Sequence, residues 1–329
     1  MKHGCRWRAG LLVCLILTGC ASVQENTAQE KVQETLTESV LNEMPATERD
    51  WENSIVAETE ELAAEENILH FVDVFGQEYE VWIEPDIEMH EYDLNAFRWE
   101  ENRMTYVGDE DFTYRQGLDV CHHHETIDWK KVKEAGFDFV FIRLGYRGYG
   151  QEGVIRLDRE FEENIKNAGE EGFDIGVYFY AQAVNEEEAR EEAEFVLENL
   201  EGHELQLPVV YDPENVLDAE ARTDDVTGEQ FTKNAVVFCE MIKAAGYQPA
   251  IYCNMLWQAY KLDLAQFSEY PIWYADYEPQ PQTPYRFEFW QYTNTATVDG
   301  IEGPVDLDIQ LIRKNTETDG GEHHENGKN

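Results

Sequence analysis

Two acids stand one residue apart behind an apolar run in "LPVVYDPENV", Leu207 to Val216. In an extended chain, side chains alternate faces with period two, so Asp212 and Glu214 project from the same side. Like charges held close raise one another's pKa, which keeps one carboxyl protonated near neutral pH beside an ionised partner. Such pairs serve glycosidic cleavage, where one acid donates a proton to the leaving oxygen. Pro213, between them, cannot donate to a sheet ladder. It fits where the ladder is ending, and its fixed φ holds the flanking acids extended.

The elements that must position this pair are legible from Gly117 onward, where strand-like and helix-like stretches alternate in the manner of parallel βα units. "FDFVFIRLG" is a near-continuous apolar run, as expected of a parallel strand buried on both faces. "DIGVYFYAQA", "QLPVVYD", "QPAIYCN", "YPIWYADY" and "FEFWQYT" read as further strands, and "VDLDIQLI" as the closing one. Between them, "DREFEENIKNAGEEG", "NEEEAREEAEFVLENL" and "TGEQFTKNAVVFCEMIKAAG" read as amphipathic helices, the second capped by Asn185 with Glu188 three residues on. The pattern predicts an α/β barrel or barrel-like fold.

In such folds chemistry sits at the C-terminal ends of the strands. The runs end in Asp119, in Tyr178 and Tyr180, in Asp212 and Glu214, in Tyr252, in Asp276 and Tyr277, and in Gln291 between Trp290 and Tyr292. Carboxylates converging among aromatic rings suit a sugar, whose apolar faces pack on those rings. Arg143 lies inside an apolar strand, where an unpaired charge is costly, and is expected to pair with a mouth carboxylate.

Taken together, "GLDVCHHHETIDWKKVKEAGFDFVFIRLGYRG", "GVYFYAQA", "LPVVYDPE", "QPAIYCN", "IWYADY" and "FWQYTNTATVDGIEGPVDLD" resemble glycoside hydrolase family 25, the N-acetylmuramidase (lysozyme) family, in the family's order. The resemblance covers Gly117 to about Arg313. It implies an irregular, flattened (β/α) barrel that cleaves the β-1,4 bond between N-acetylmuramic acid and N-acetylglucosamine in peptidoglycan glycan strands. It places the family's acids on Asp119, Asp212, Glu214 and Asp306, with Glu214 as general acid. Asp212 would then orient the substrate's N-acetyl group in an assisted route, or stabilise charge in a direct displacement. The candidate substrate contacts are the strand-end residues Tyr178, Tyr180, Tyr252, Asp276, Tyr277, Trp290 and Gln291, together with His123, which aligns with the family's histidine. The chain departs from the family pattern where Cys121 replaces a serine, where His124 and Glu125 replace Gln-Gly, and at Pro213. A catalytically inactive glycan-binding module is the alternative reading.

His122, His123 and His124, with Asp119 or Glu125, invite a third reading as a metal-dependent hydrolase. Consecutive strand positions point to opposite faces, so three adjacent histidines do not readily ligate one ion. No metal or cofactor is expected.

Ahead of this barrel, residues 68–116 read as a small β-rich extension. One hairpin is expected about Gly76-Gln77 and a second about Gly108-Asp109. Its aromatics Phe71, Phe75, Trp82 and Trp99 are expected to pack on the barrel or to hold a ligand.

The first 19 residues carry a basic n-region (Lys2, Arg6, Arg8) and the short apolar "AGLLVCLILTG". Leu17-Thr18-Gly19-Cys20 resembles a bacterial lipobox, which implies cleavage before Cys20 and a lipid anchor there, hence an extracytoplasmic, membrane-tethered protein. Residues 20–67 are acidic and poor in apolar side chains, as expected of a disordered tether, and 315–329 of a polar tail. Cys121, Cys239 and Cys253 remain in the mature chain; an odd number leaves no complete disulfide framework, and buried thiols are expected, with a Cys121–Cys253 bridge as the alternative if their strands end side by side. Over all 329 residues, 69 acids oppose 25 bases for a net charge of −44. That balance argues against nucleic acid as a partner, whose binding needs a basic footprint. The expected working state is a monomer.

Overall fold

A computed structural model describes residues 67–216 and 220–314. The residues read as a signal segment (1–19), Cys20, all but the last residue of the stretch read as a tether, and the stretch read as a polar tail (315–329) lie outside the described residues. From Asn67 on, extension and barrel form one compact unit.

The extension contains β1 (Ile68–Val72) and β2 (Glu78–Trp82), an antiparallel hairpin with Phe71 opposite Tyr79. The second hairpin is not the one expected. β3 (Phe97–Glu100) pairs with β4 (Arg103–Tyr106), and the turn falls on Glu101 and Asn102, both at positive φ. The Gly108-Asp109 stretch is a bend instead. The Asp109 carboxylate accepts from the backbone N–H groups of Asp111 (2.7 Å) and Phe112 (3.1 Å) and from the Tyr106 hydroxyl, which turns the chain away from β4.

The chain then enters β5 (Phe112–Val120), the first barrel strand, which begins inside the segment assigned to the extension. There follow α1 (Trp129–Glu134), β6 (Phe139–Arg147), β7 (Ile155–Leu157), α2 (Phe161–Glu170), β8 (Asp174–Ala181), α3 (Glu186–Asn199) and β9 (Val209–Pro213). After the residues not described come α4 (Gly228–Ala244), β10 (Pro249–Asn254), α5 (Met255–Tyr260), β11 (Ile272–Ala275), β12 (Phe289–Ala296) and β13 (Val305–Arg313). The sheet order is β5-β13-β12-β11-β10-β9-β8-β6, and β6 pairs back onto β5 to close an eight-stranded barrel, with β7 attached at the side. Around the barrel all neighbours are parallel except at β13, which runs antiparallel to both β12 and β5, and the attached β7 is antiparallel to β6. The irregular (β/α) barrel with an N-terminal extension is therefore the fold.

Period-two alternation sorts the strand residues into two layers. Phe139, Phe141, Tyr178, Val210, Trp273 and Phe289 fill the barrel. Val140, Ile142, Val177, Phe179, Val209 and Tyr211 pack outward in the larger core that takes in Phe238 of α4. Inside, glycine is required where aromatic rings cross the sheet. A Cβ on Gly117 would lie 2.1 Å from the Phe139 ring, and one on Gly176 would lie 2.4 Å from Phe141. The helices begin as the sequence suggests: Asn185 Oδ1 accepts from the N–H groups of Glu187 and Glu188, each at 3.0 Å, satisfying two donors that the first turn leaves unpaired.

The extension docks along the loop between β11 and β12. Val72 N–H donates to Gln282 Oε1 (2.8 Å) and Gln282 Nε2 donates to the Val72 carbonyl (2.9 Å), as a strand neighbour would. His90 N–H bonds Pro284 O (3.0 Å) and Arg286 N–H bonds Glu88 O (2.9 Å). The Phe97 ring meets Trp290 edge-on at 5.1 Å, and Trp99 meets Tyr292 at 5.6 Å. Of the four extension aromatics singled out, Phe71 is buried, whereas Trp82, Trp99 and above all Phe75 remain exposed.

Candidate active site

The acids converge because of the barrel's one antiparallel strand. Asp119 stands at the C-terminal end of β5, as expected of a mouth residue. Asp306 stands at the beginning of β13, which would be the wrong end if that strand ran parallel. Because β13 is reversed, Asp306 is the register partner of Asp119. Asp212, on β9, is the register partner of Tyr180 on β8, and Arg143 on β6 is that of Tyr178. Pro213 is the last, buried residue of β9, so its missing N–H falls where the ladder stops. Glu214 follows immediately, its carbonyl held by Gln182 Nε2 at 2.9 Å.

A hydrogen-bond web joins these groups. Gln291 Nε2 donates to Asp119 Oδ2 (2.7 Å), and the hydroxyls of Tyr252 and Tyr277 both donate to Gln291 Oε1 (3.0 Å each). Tyr252 also hydrogen-bonds the Glu214 carboxyl. Asp212 is buried, and its Oδ1 has no hydrogen-bond partner among the described residues.

Burial dominates the electrostatics. It pushes Glu214 up to about 7, with the Tyr252 hydrogen bond pulling down and the charge of Asp306 adding to the rise. Burial likewise raises Asp306 to about 6. Asp212 is held well above the usual carboxylate range by burial and by the charge of Glu214, against the pull of Arg143. Asp119 is raised by burial and by the charges of Asp306 and Asp308. Crowded carboxyls that cannot all ionise are what an acid–base site requires.

Tyr178, Tyr180, Tyr252, Tyr277 and Gln291 thus gather with the four acids. Asp276 and Trp290 are placed differently. The Asp276 carboxylate accepts from Tyr274 Oη (2.7 Å), Gln282 N–H (2.9 Å) and Glu278 N–H (3.1 Å), tying down the loop after β11. Trp290 alternates with Phe289 and Gln291, so it stands on the outer layer, where its indole N–H donates to the Asp276 carbonyl (2.7 Å).

The three histidines form a 3-10 turn (His122–His124) rather than a strand. His123 is exposed at the rim, its ring 4.2 Å from that of His122. His122 Nδ1 lies 3.0 Å from Asp158 Oδ2, and His124 Nδ1 accepts from Cys121 N–H at 3.1 Å. Among the described residues no group of His, Cys, Asp or Glu side chains is arranged to hold a metal ion. Cys121, Cys239 and Cys253 are buried free thiols.

Two acids near the mouth escaped the sequence reading. Asp158 is the partner of Arg143, whose Nε donates to its Oδ2 at 2.8 Å. Asp308 is fully buried inside the barrel, accepts the Trp273 indole N–H at 2.7 Å, and has an unpartnered Oδ2. The spacing in "VDLD" carries the same period-two signal as Asp212 and Glu214, so Asp308 was findable. Asp158 lies outside any barrel strand and gives no such signal.

The family model for Glycosyl hydrolases family 25 matches residues 118–301, more than half of the chain. The uncharacterized protein YegX of Escherichia coli strain K12 is 30% identical over 203 residues, 59% of this chain and 68% of that one. The autolytic lysozyme of Clostridium acetobutylicum is 25% identical over 195 residues, 59% of this chain and 55% of its own length. Among solved structures, a family 25 glycosyl hydrolase from Bacillus anthracis superposes with a TM-score of 0.51 at 24% identity, covering 64% of this chain and 94% of that one, a likeness of fold. Matched from the end of β5 to the approach to β13, over more than half of its length, this chain belongs to glycosyl hydrolase family 25 and is a glycoside hydrolase.

Proposed function

We propose that the protein is a muramidase that cleaves the β-1,4 bond between N-acetylmuramic acid and N-acetylglucosamine in peptidoglycan, with Glu214 as proton donor. The observation that carries this reading is the pairing of Glu214, a half-buried residue whose carboxyl is raised to about 7, with the buried carboxyl of Asp212, which keeps one oxygen unpartnered. A general acid works best with a pKa near the operating pH, where a useful fraction still carries the proton.

In the sequence this supports, Glu214 gives its proton to the leaving glycosidic oxygen as the bond to C1 breaks. The Asp212 carboxyl accepts from the acetamido N–H of the sugar, turning its carbonyl oxygen toward C1, which that oxygen attacks to close a ring. Water then opens the ring, and Glu214 takes the water's proton back. Asp119 and Asp306 shape the charge opposite, with Gln291 holding Asp119 in place. Tyr178, Tyr180, Tyr252, Tyr277 and His123 would line the sugar path, and Asp276 and Trp290 would serve it by fixing the loop and strand behind it. The sequence at Leu17 to Cys20 supports a lipid tether, so the enzyme would work on the wall from a membrane surface outside the cytoplasm.

The bond assignment is tested by digesting purified peptidoglycan, reducing the products with borohydride and identifying the new sugar alcohol by mass spectrometry. A muramic-acid-derived alcohol is expected. A glucosamine-derived alcohol would overturn the bond, and no new reducing end would leave a glycan-binding module.

A further inference from the structure

The hairpin tip between β1 and β2 is built for a purpose its own packing does not explain. Val74 and Phe75 are 65% and 75% exposed, the two most exposed large apolar side chains among the described residues. Yet the tip that carries them is rigidly held. Asp73 Oδ1 accepts from the N–H groups of Phe75 and Gln77, each at 2.9 Å, while Asp73 Oδ2 accepts from Tyr79 Oη at 3.1 Å. Two further backbone bonds close the turn, Gly76 N–H to Asp73 O (2.9 Å) and Asp73 N–H to Gln77 O (3.0 Å). The base of the hairpin is fixed to the barrel by the paired bonds between Val72 and Gln282.

A cleft of about 270 Å³ lies between this tip and the barrel, walled by Val74 and Phe75 on one side and by Asn254 and Tyr277 on the other. Asn254 ends β10, and Tyr277 follows β11, so the cleft opens at the mouth end of the barrel. Tyr277 belongs to both places: it walls the cleft, and its hydroxyl bonds the same Gln291 oxygen as Tyr252. The lining includes Asp73, Asp276 and Glu278 and no basic side chain. An anionic ligand is thereby disfavoured, whereas an uncharged ring with apolar faces and hydroxyl donors is suited to it. The volume is near the lower end of ligand sites, about 300 Å³, room for a single ring.

We infer that the extension supplies an additional sugar subsite, in which the Phe75 ring stacks on an N-acetylhexosamine of the same glycan strand beyond the cleaved bond. This rests on the muramidase reading for its substrate. It makes the extension a determinant of chain-length preference: long strands gain the contact, and fragments that fill only the mouth do not.

The test compares wild type, Phe75→Ala and Phe75→Trp on long peptidoglycan strands and on a tetrasaccharide fragment. Phe75 is exposed, so folding is expected to be unaffected, which thermal melting checks. Phe75→Ala should raise KM on long strands about tenfold, the scale that burial of one face of a phenyl ring supports. Its tetrasaccharide kinetics should match wild type, and Phe75→Trp should restore the long-strand value. Equal loss on both substrates, or no loss on either, overturns the subsite. Retention on insoluble sacculi is measured in parallel with Glu214→Gln and Glu214→Gln/Phe75→Ala. If wild type releases no reducing ends, the muramidase reading fails and the subsite is judged by this arm alone: weaker retention of the double variant supports it, and equal retention overturns it.

Discussion

Asp119 and Asp306 are register partners across the antiparallel pair β5–β13, one at the end of its strand and the other at the start. A single reversed strand therefore brings a residue nearly two hundred positions away beside the first mouth acid. The consequence is electrostatic. The charge of Asp306 raises Asp119, and Glu214 feels it too.

Replacing Asp306 with Asn removes that charge. The alkaline limb of the activity profile, set by loss of the Glu214 proton, should then move to lower pH. Initial rates between about pH 5 and 9 measure it; an unmoved limb would separate Asp306 from the acid.

For wild type, activity should fall as pH rises through about 7, where Glu214 gives up its proton. Stability should follow the same sign. The folded pKa is raised above the ordinary value of 4.5, so the contribution from this group is full below about 4.5 and is lost as pH rises through about 7. Glu214→Gln should thus gain Tm relative to wild type at pH 8 and not at pH 4, as calorimetry at the two pH values would show.

Asp308→Asn keeps an acceptor for the Trp273 indole while removing a buried acid. Burial holds Asp308 well above the usual range, so its ionisation at high pH works against the fold. The variant should melt higher than wild type at pH 8, with the difference shrinking toward acid pH. A lower Tm at pH 8 would mean that the unpartnered oxygen has a structural task.

Behind the mouth, Arg147 Nε donates to the fully buried Glu192 at 2.8 Å, and its other nitrogens bond Gly153 O (2.9 Å) and Glu188 O (2.8 Å). Arg147→Ala should destabilise the protein by about 3–5 kcal/mol, because it leaves a buried carboxyl without its partner. Urea unfolding reads this directly, and a loss below about 1 kcal/mol would contradict it.

The residues most legible in the sequence are those whose positions follow from period two on a buried strand: Asp119, Tyr178, Tyr180, Asp212, Tyr252 and Gln291. Trp290 fails by the same rule, since it neighbours Gln291 and must face the other way. Asp276 sits two residues beyond Tyr274, on its outer face, and is consumed by the loop that follows. The direction of β13 was not legible, because alternation fixes faces and leaves pairing sense open. Nor was the Glu101–Asn102 turn. The glycine at 108 is the stronger local turn signal, and it was overridden when β5 took its partners from the barrel.

The central claim is that Glu214 delivers the proton that breaks a glycosidic bond. The most direct measurement is the release of new reducing ends from purified peptidoglycan by wild type and by Glu214→Gln, alongside sacculus binding by both. The account predicts steady release by wild type, a loss of at least about a hundredfold in the variant, and binding retained by each. Undiminished release by Glu214→Gln would contradict it.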